Sequence, residues 1–194
     1  MKYLPNTITI LRILVTPAVL VFLLRPSTSA LFWAWALFII AAISDYVDGS
    51  LARRLEVPSR LGQFLDPLAD KVLVIGTFIV LAYKYPAIVP VWVVVVIAIR
   101  AMFVTALRSW VESRGQSLRT LGIAKLKTVA QLTFLIGTLT ILLAARLPGF
   151  PGDIGAWILG TTILYVLAAA VAVITAATGL IYLFTLPAMP HESA

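Results

Sequence analysis

Apolar runs long enough to cross a bilayer recur through this chain, and a spanning helix needs about 20 such residues. Windows of this kind fall at 7–24, 30–52, 61–83, 87–110, 125–145 and 154–186, which gives six expected spans. Turn chemistry punctuates them at Arg25-Pro26-Ser27, Val57-Pro58-Ser59, Tyr85-Pro86 and Leu147-Pro148-Gly149-Phe150-Pro151-Gly152. The longest polar loop is 112–122. With 61% hydrophobic and 12% charged residues and a mean hydropathy of +1.04, a water-soluble globule and a disordered chain are both excluded. The expected fold is all-α: one polytopic membrane domain over 1–194 with six transmembrane helices and no internal repeat.

Composition also narrows the chemistry. The absence of cysteine removes disulfides, thiolate metal sites and cysteine nucleophiles. The single histidine, His191, lies in the polar tail, so His-based acid–base catalysis and a His-ligated zinc are not expected. Carboxylates, hydroxyls, lysines and arginines remain. Arg12 and Pro17 interrupt the first apolar run and no good cleavage site follows it, so a cleaved signal peptide is not expected.

Of the 15 basic residues, nine gather on one side of the expected spans: Lys2, Arg53, Arg54, Arg60, Arg108, Arg114, Arg119, Lys125 and Lys127. The other side has Arg25, Lys84 and Arg146, while Arg12, Lys71 and Arg100 fall within spans. The positive-inside rule makes the nine-residue side cytoplasmic, with both termini inside. The net charge of +7 then reads as a face suited to anionic lipids and phosphates rather than to nucleic acid.

Half of the eight acidic residues, Asp45, Asp48, Asp66 and Asp70, fall in the second and third expected spans. A carboxylate near the centre of a membrane helix costs at least about 2.5 kcal/mol, so such residues usually serve a site. Counting back from Arg54 puts Asp45 and Asp48 about 13 and 9 Å along the helix, and counting on from Arg60 puts Asp66 and Asp70 about 9 and 15 Å along theirs. All four therefore reach similar depth just under the cytoplasmic surface. Spacings of three and four residues keep each pair on one helical face. Gly49, Ala52 and Gly62 extend those faces with small residues that admit a close neighbour or a bulky ligand.

Converging carboxylates repel one another unless cations sit among them. An all-oxygen set selects hard divalent ions, Mg²⁺ first and Mn²⁺ second. Two such ions suit displacement at phosphorus, and Arg53, one turn past Gly49, is placed to hold a phosphate. Helix pairing by protonated aspartates and a cation-transport pathway are the competing readings. Transport would place the carboxylates near the midplane and usually show a repeat, and neither feature is present in the sequence.

Written out, the stretch is Asp45-x2-Asp48-Gly49-x2-Ala52-Arg53-x8-Gly62-x3-Asp66-x3-Asp70. It resembles the complete motif of the CDP-alcohol phosphotransferases, with every fixed position matched. Members of that family are six-helix membrane enzymes in which an alcohol displaces CMP from a CDP-linked substrate. The resemblance implies that the four aspartates hold two Mg²⁺ or Mn²⁺ ions and that Asp70 takes the proton of the attacking hydroxyl. It implies a CDP site formed by Asn6, Asp45, Gly49, Arg53, Gly62 and Asp66, with Gly49 and Arg53 at the pyrophosphate. Asn6 also reads as a cap of the first helix.

The resemblance extends over most of the first 135 residues. Pro5-Asn6-x-Ile8-Thr9-x-Leu11-Arg12, Leu65-Asp66-Pro67-Leu68-Ala69-Asp70-Lys71, Ala106-Leu107-Arg108-x-Trp110 and Ala124-Lys125-Leu126-Lys127-Thr128-x-Ala130-Gln131 are similar to the branch that moves a phosphatidyl group from CDP-diacylglycerol to glycerol 3-phosphate. One position departs from it, since Ala101 follows Arg100 where that branch usually carries Glu. Phosphatidylglycerol, the acceptor of a neighbouring branch, therefore stays open beside glycerol 3-phosphate. Homodimers are common in the family and are an expectation here, as is a bacterial inner membrane.

A site for the glycerol 3-phosphate dianion needs fixed cations near the cytoplasmic surface. Arg108, Lys125 and Lys127 flank one loop, and Arg100 lies about 12 Å deeper on the helix of Arg108. These four are the expected acceptor-phosphate ligands. Lys71 reads as a local counter-ion. Trp33, Trp35, Trp92 and Trp157 read as interfacial anchors, and Gly137, Gly160 and Gly179 as packing positions. The sixth span and the tail at 187–194 carry no readable chemistry.

Overall fold

The computed structural model describes the backbone at 4–51, 60–113 and 123–184, and side chains at 14–44, 71–107, 109–111 and 126–181. Among these residues the regular structure is all helical: α1 (Leu4–Leu24), α2 (Thr28–Leu51), α3 (Arg60–Lys84), α4 (Val91–Ser113), α5 (Ile123–Ala144), α6 (Phe150–Leu159) and α7 (Ile163–Phe184). Among the residues whose side chains are described, three stretches are long and apolar enough to cross a membrane, Val91–Val111, Leu126–Ala144 and Ile163–Ile181, and Leu14–Leu24 and Thr28–Ser44 are shorter apolar helices.

The sixth expected span needs correction. The segment 154–186 is not one helix but the end of α6 and the whole of α7, broken at Gly160-Thr161-Thr162. Gly160 closes α6 through its N–H to Ala156 O at 3.0 Å, and the Thr161 hydroxyl donates to Ile158 O at 2.7 Å. A hydroxyl that takes up a helix carbonyl offers the backbone an alternative to the next helical turn. At 10 residues α6 is about 15 Å long, half the thickness of a hydrocarbon core.

Local chemistry explains the other boundaries. Ser27 caps α2, its Oγ accepting the N–H of Ala30 at 3.2 Å. Pro90 precedes α4 and Pro151 occupies the first turn of α6, both places where a missing N–H costs little. Gly149, with φ of 76°, takes the left-handed conformation that turns the chain into α6. Gly152 and Gly155 let α6 lie against the end of α5. A Cβ at Gly152 would stand 2.0 Å from Leu147 O, and one at Gly155 would stand 2.5 Å from Ala145 N.

The core runs along the bundle axis. α1 packs on α2 and α3, α4 on α3 and α7, and α5 on α2, α3, α6 and α7. Val19, Leu23, Phe38, Phe78, Leu81, Ile97, Leu135 and Leu139 are fully buried. The Phe78 and Phe134 rings stack at 5.7 Å between centroids. Outward, Leu14, Val21, Ile40, Ile79, Met102 and Val173 form an exposed apolar surface. In water such a surface would aggregate, whereas in lipid it is the solvated face.

Trp33, Trp92 and Trp157 point outward, in keeping with interfacial anchoring. Trp35 does not. Its indole N–H donates to Thr140 Oγ1 at 2.9 Å and ties α2 to α5. Gly137 has open space around it rather than a tight contact, and Gly160 is the C-cap of α6.

At the end where α1 meets α2, the basic residues serve the backbone. Lys84, the last residue of α3, donates to Leu23 O, Leu24 O and Arg25 O at 2.9, 3.3 and 3.2 Å. It thereby caps the carbonyls that α1 leaves open. Burial, and secondly the nearby Arg146 charge, hold its ammonium below the usual lysine range. Arg146 donates to Pro26 O at 2.7 Å and to the Tyr85 hydroxyl at 3.4 Å.

Candidate active site

The helical backbone runs unbroken through both aspartate pairs. Asp45, Asp48 and Gly49 lie in the last turns of α2, and Gly62, Asp66 and Asp70 lie in the first half of α3. The spacings of three and four that put each pair on one helical face therefore hold. The side chains of these residues lie outside the described residues, as do those of Asn6 on α1, Arg108 on α4 and Lys125 on α5, and Arg53 lies outside altogether.

One residue beyond Asp70 the described site begins. A cavity of about 20 Å³ is lined by Lys71 of α3, Arg100 of α4, Lys127 and Gln131 of α5 and Thr175 of α7, closed by Val74, Ile75, Ile97 and Ala101. That volume holds about one water molecule. The bundle thus brings together two of the expected acceptor ligands, Arg100 and Lys127, from separate helices.

Arg100, Gln131 and Lys71 are each held in place by a hydroxyl on a neighbouring helix. Arg100 is 8% exposed and donates from Nη2 to Thr178 Oγ1 at 3.4 Å. Gln131 donates from Nε2 to Thr175 Oγ1 at 3.0 Å, and the Thr178 hydroxyl donates to Thr175 O at 2.8 Å. Gly179 leaves room for Arg100, since a Cβ there would lie 2.8 Å from Arg100 Cγ. Lys71 Nζ donates to Thr105 Oγ1, which in turn donates to Ala101 O at 2.6 Å.

Lys71, Ile75 and Ala101 also line a second cavity, an apolar groove of about 630 Å³ bounded by α1, α3 and α4. Leu20, Val72, Gly76, Ile79, Met102, Thr105 and Ala106 complete it. A groove of that size and polarity suits hydrocarbon, and its polar end is the lysine that borders the cation-lined cavity.

A family model, CDP-alcohol phosphatidyltransferase, matches residues 2–186, which takes in all seven helices. The chain belongs to that family. Among its relatives, the CDP-diacylglycerol–glycerol-3-phosphate 3-phosphatidyltransferase of Bacillus subtilis is 37% identical over 168 residues, covering 80% of this chain and 86% of the relative. The protein of the same name from Escherichia coli K12 is 35% identical over 136 residues, covering 68% and 73%. That of Wigglesworthia glossinidia brevipalpis is 33% identical over 134 residues, covering 66% and 71%. As a CDP-alcohol phosphatidyltransferase the chain is an enzyme, and the cation-transport reading is set aside.

Gln131 and Thr175, which line the cavity, and Thr178, which accepts from Arg100, were not singled out by reading along the sequence, and Lys71 was read only as a local counter-ion. Gln131 had a signal, since it lies one helical turn after Lys127. Thr175 and Thr178 had a fainter one, a pair of hydroxyls three apart in an otherwise apolar run.

Proposed function

We propose that this enzyme transfers the phosphatidyl group of CDP-diacylglycerol to glycerol 3-phosphate, releasing CMP and forming phosphatidylglycerophosphate in phospholipid biosynthesis. The observation that carries the acceptor is the convergence of Lys71, Arg100 and Lys127 on one cavity, one residue beyond Asp70 on α3. A small dianion is the ligand class such a cluster attracts. The shared name of the relatives supports the same donor and acceptor.

In this reading Asp70 accepts the proton of the acceptor hydroxyl as its oxygen attacks the phosphorus that bears the diacylglycerol. The new O–P bond forms while the bond from that phosphorus to the CMP oxygen breaks. Lys71, Arg100 and Lys127, with Arg108 and Lys125, hold the acceptor's own phosphate and so fix which hydroxyl faces the donor. Asn6, Asp45, Gly49, Arg53, Gly62 and Asp66 hold the CDP moiety, and the apolar groove beside Lys71 seats lipid chain.

Asp45, Asp48, Asp66 and Asp70 would hold two divalent metal ions. The donor set fits: it is all carboxylate, in a chain without cysteine and with its one histidine in the tail. Bound there, Mg²⁺ or Mn²⁺ would neutralise negative charge on the pyrophosphate.

The proposed topology has six crossings, α1 to α5 and α7, with α6 at the interface. Both termini and the aspartates face the cytoplasm, in a bacterial inner membrane, and the working unit is a homodimer. The test is CMP release by the purified protein with Mg²⁺ and CDP-diacylglycerol, supplying glycerol 3-phosphate or phosphatidylglycerol. Release with glycerol 3-phosphate supports the proposal. Release with phosphatidylglycerol alone would keep the chemistry and overturn the acceptor.

A further inference from the structure

The last long helix carries two buried hydroxyls, Thr175 and Thr178, which are 1% and 4% exposed. Threonines in apolar helices commonly return their hydroxyl to a carbonyl of the preceding turn, as Thr77 does to Leu73 O at 2.8 Å. Thr178 does this with Thr175 O, and the consequence is specific. With its proton committed to its own helix, Thr178 Oγ1 presents lone pairs outward, and Arg100 Nη2 of α4 donates to it. Thr175 Oγ1 in turn takes the Gln131 amide of α5. Gly179 completes the arrangement, because any side chain there would meet Arg100 at its Cγ.

An arginine deep in an apolar helix has a long stem and a strong tendency to reach for water. What keeps its head at a given depth must be a set of fixed acceptors with room beside them. α7 supplies both.

We infer that Thr175, Thr178 and Gly179 of α7 are positioning residues that set Arg100 and Gln131 for the acceptor phosphate, and so govern affinity for glycerol 3-phosphate. The inference rests on the proposed acceptor site. It gives α7 a part in substrate choice, through the helix-spanning pairs α4–α7 and α5–α7.

The test is steady-state kinetics on Thr178→Val, Thr178→Ser, Gly179→Ala and Arg100→Lys, with CMP release as the readout. Thr178→Val keeps the shape and removes the acceptor. Its KM for glycerol 3-phosphate should rise about 10-fold, the scale of one hydrogen bond to a charged group. kcat and the KM for CDP-diacylglycerol should stay within about 2-fold, since those interactions lie elsewhere. Thr178→Ser should restore the wild-type KM, and adding Thr178→Val to Arg100→Lys should raise KM little further. Gly179→Ala provides a second handle with the same expected acceptor-specific rise.

An unchanged KM for glycerol 3-phosphate in the folded Thr178→Val and Gly179→Ala proteins would overturn the inference. So would a fall in kcat with both KM values altered alike, which marks a packing role. If the wild-type enzyme releases no CMP with glycerol 3-phosphate, the acceptor reading itself fails, and the inference fails with it.

Discussion

One end of this bundle and its middle use buried and half-buried cations in opposite ways. At the end where α1 meets α2, Lys84 and Arg146 spend their donors chiefly on backbone carbonyls: Leu23, Leu24 and Arg25 for the lysine, Pro26 for the arginine. Near the middle of the bundle, Lys71, Arg100 and Lys127 come from three helices to line one cavity with an amide and a hydroxyl. The first arrangement closes a helix terminus and secures a turn. The second gathers charge from three helices around a cavity of about one water. A basic residue in a membrane bundle is therefore assigned by what its donors reach, and its depth alone does not decide.

That contrast can be broken by experiment, and the largest effect belongs to the aspartates. Asp70→Asn should lower CMP release by about 10²- to 10⁴-fold, the usual worth of a positioned general base, in a protein that still folds. Chelation of divalent metal should abolish release from the wild type, and Mg²⁺ or Mn²⁺ should restore it.

Charge removal at the two clusters should then separate cleanly. Lys127→Met should raise the KM for glycerol 3-phosphate about 10- to 100-fold, because a charge-assisted contact is worth about 1.5–3 kcal/mol. Lys84→Met should leave that KM unchanged. It should instead cost about 1–2 kcal/mol of stability as the α1 carbonyls lose their donors, read as a lower unfolding temperature in detergent. Equal effects of both substitutions on KM would contradict the distinction between the two clusters.

The smallest functional effect is expected at α6. Gly155→Ala puts a methyl against the backbone of Ala145, just past α5, and should cost about 1–3 kcal/mol of stability with KM values intact.

How much of this was legible in the sequence follows from where polar groups cost most. The aspartates of α2 and α3 stood out because a carboxylate in an apolar run demands a reason, and their spacing described a face before any helix was seen. Arg100 was legible on the same ground, and so was the all-helical fold.

The break between α6 and α7 was not legible, because Gly160-Thr161-Thr162 interrupts the run without a charge or a proline. Hydropathy passes over such a turn, while a hydroxyl that captures a carbonyl does not. The work of Thr175 and Thr178 was hidden for a related reason: a threonine's own helix can satisfy it, and only the packing of α4 and α5 on α7 shows that it does more. Lys84 and Arg146 read as loop charges because their acceptors, the carbonyls of Leu23 to Pro26, lie some 60 and 120 residues away. Tertiary partners at that separation leave no local pattern.

The most direct test of the account is CMP release from CDP-diacylglycerol with Mg²⁺ and glycerol 3-phosphate, measured side by side for wild type, Asp70→Asn and Lys84→Met. Asp70→Asn should be silent but folded, and the Lys84→Met enzyme should turn over with the wild-type KM for glycerol 3-phosphate. Turnover by Asp70→Asn within a few-fold of wild type would contradict it.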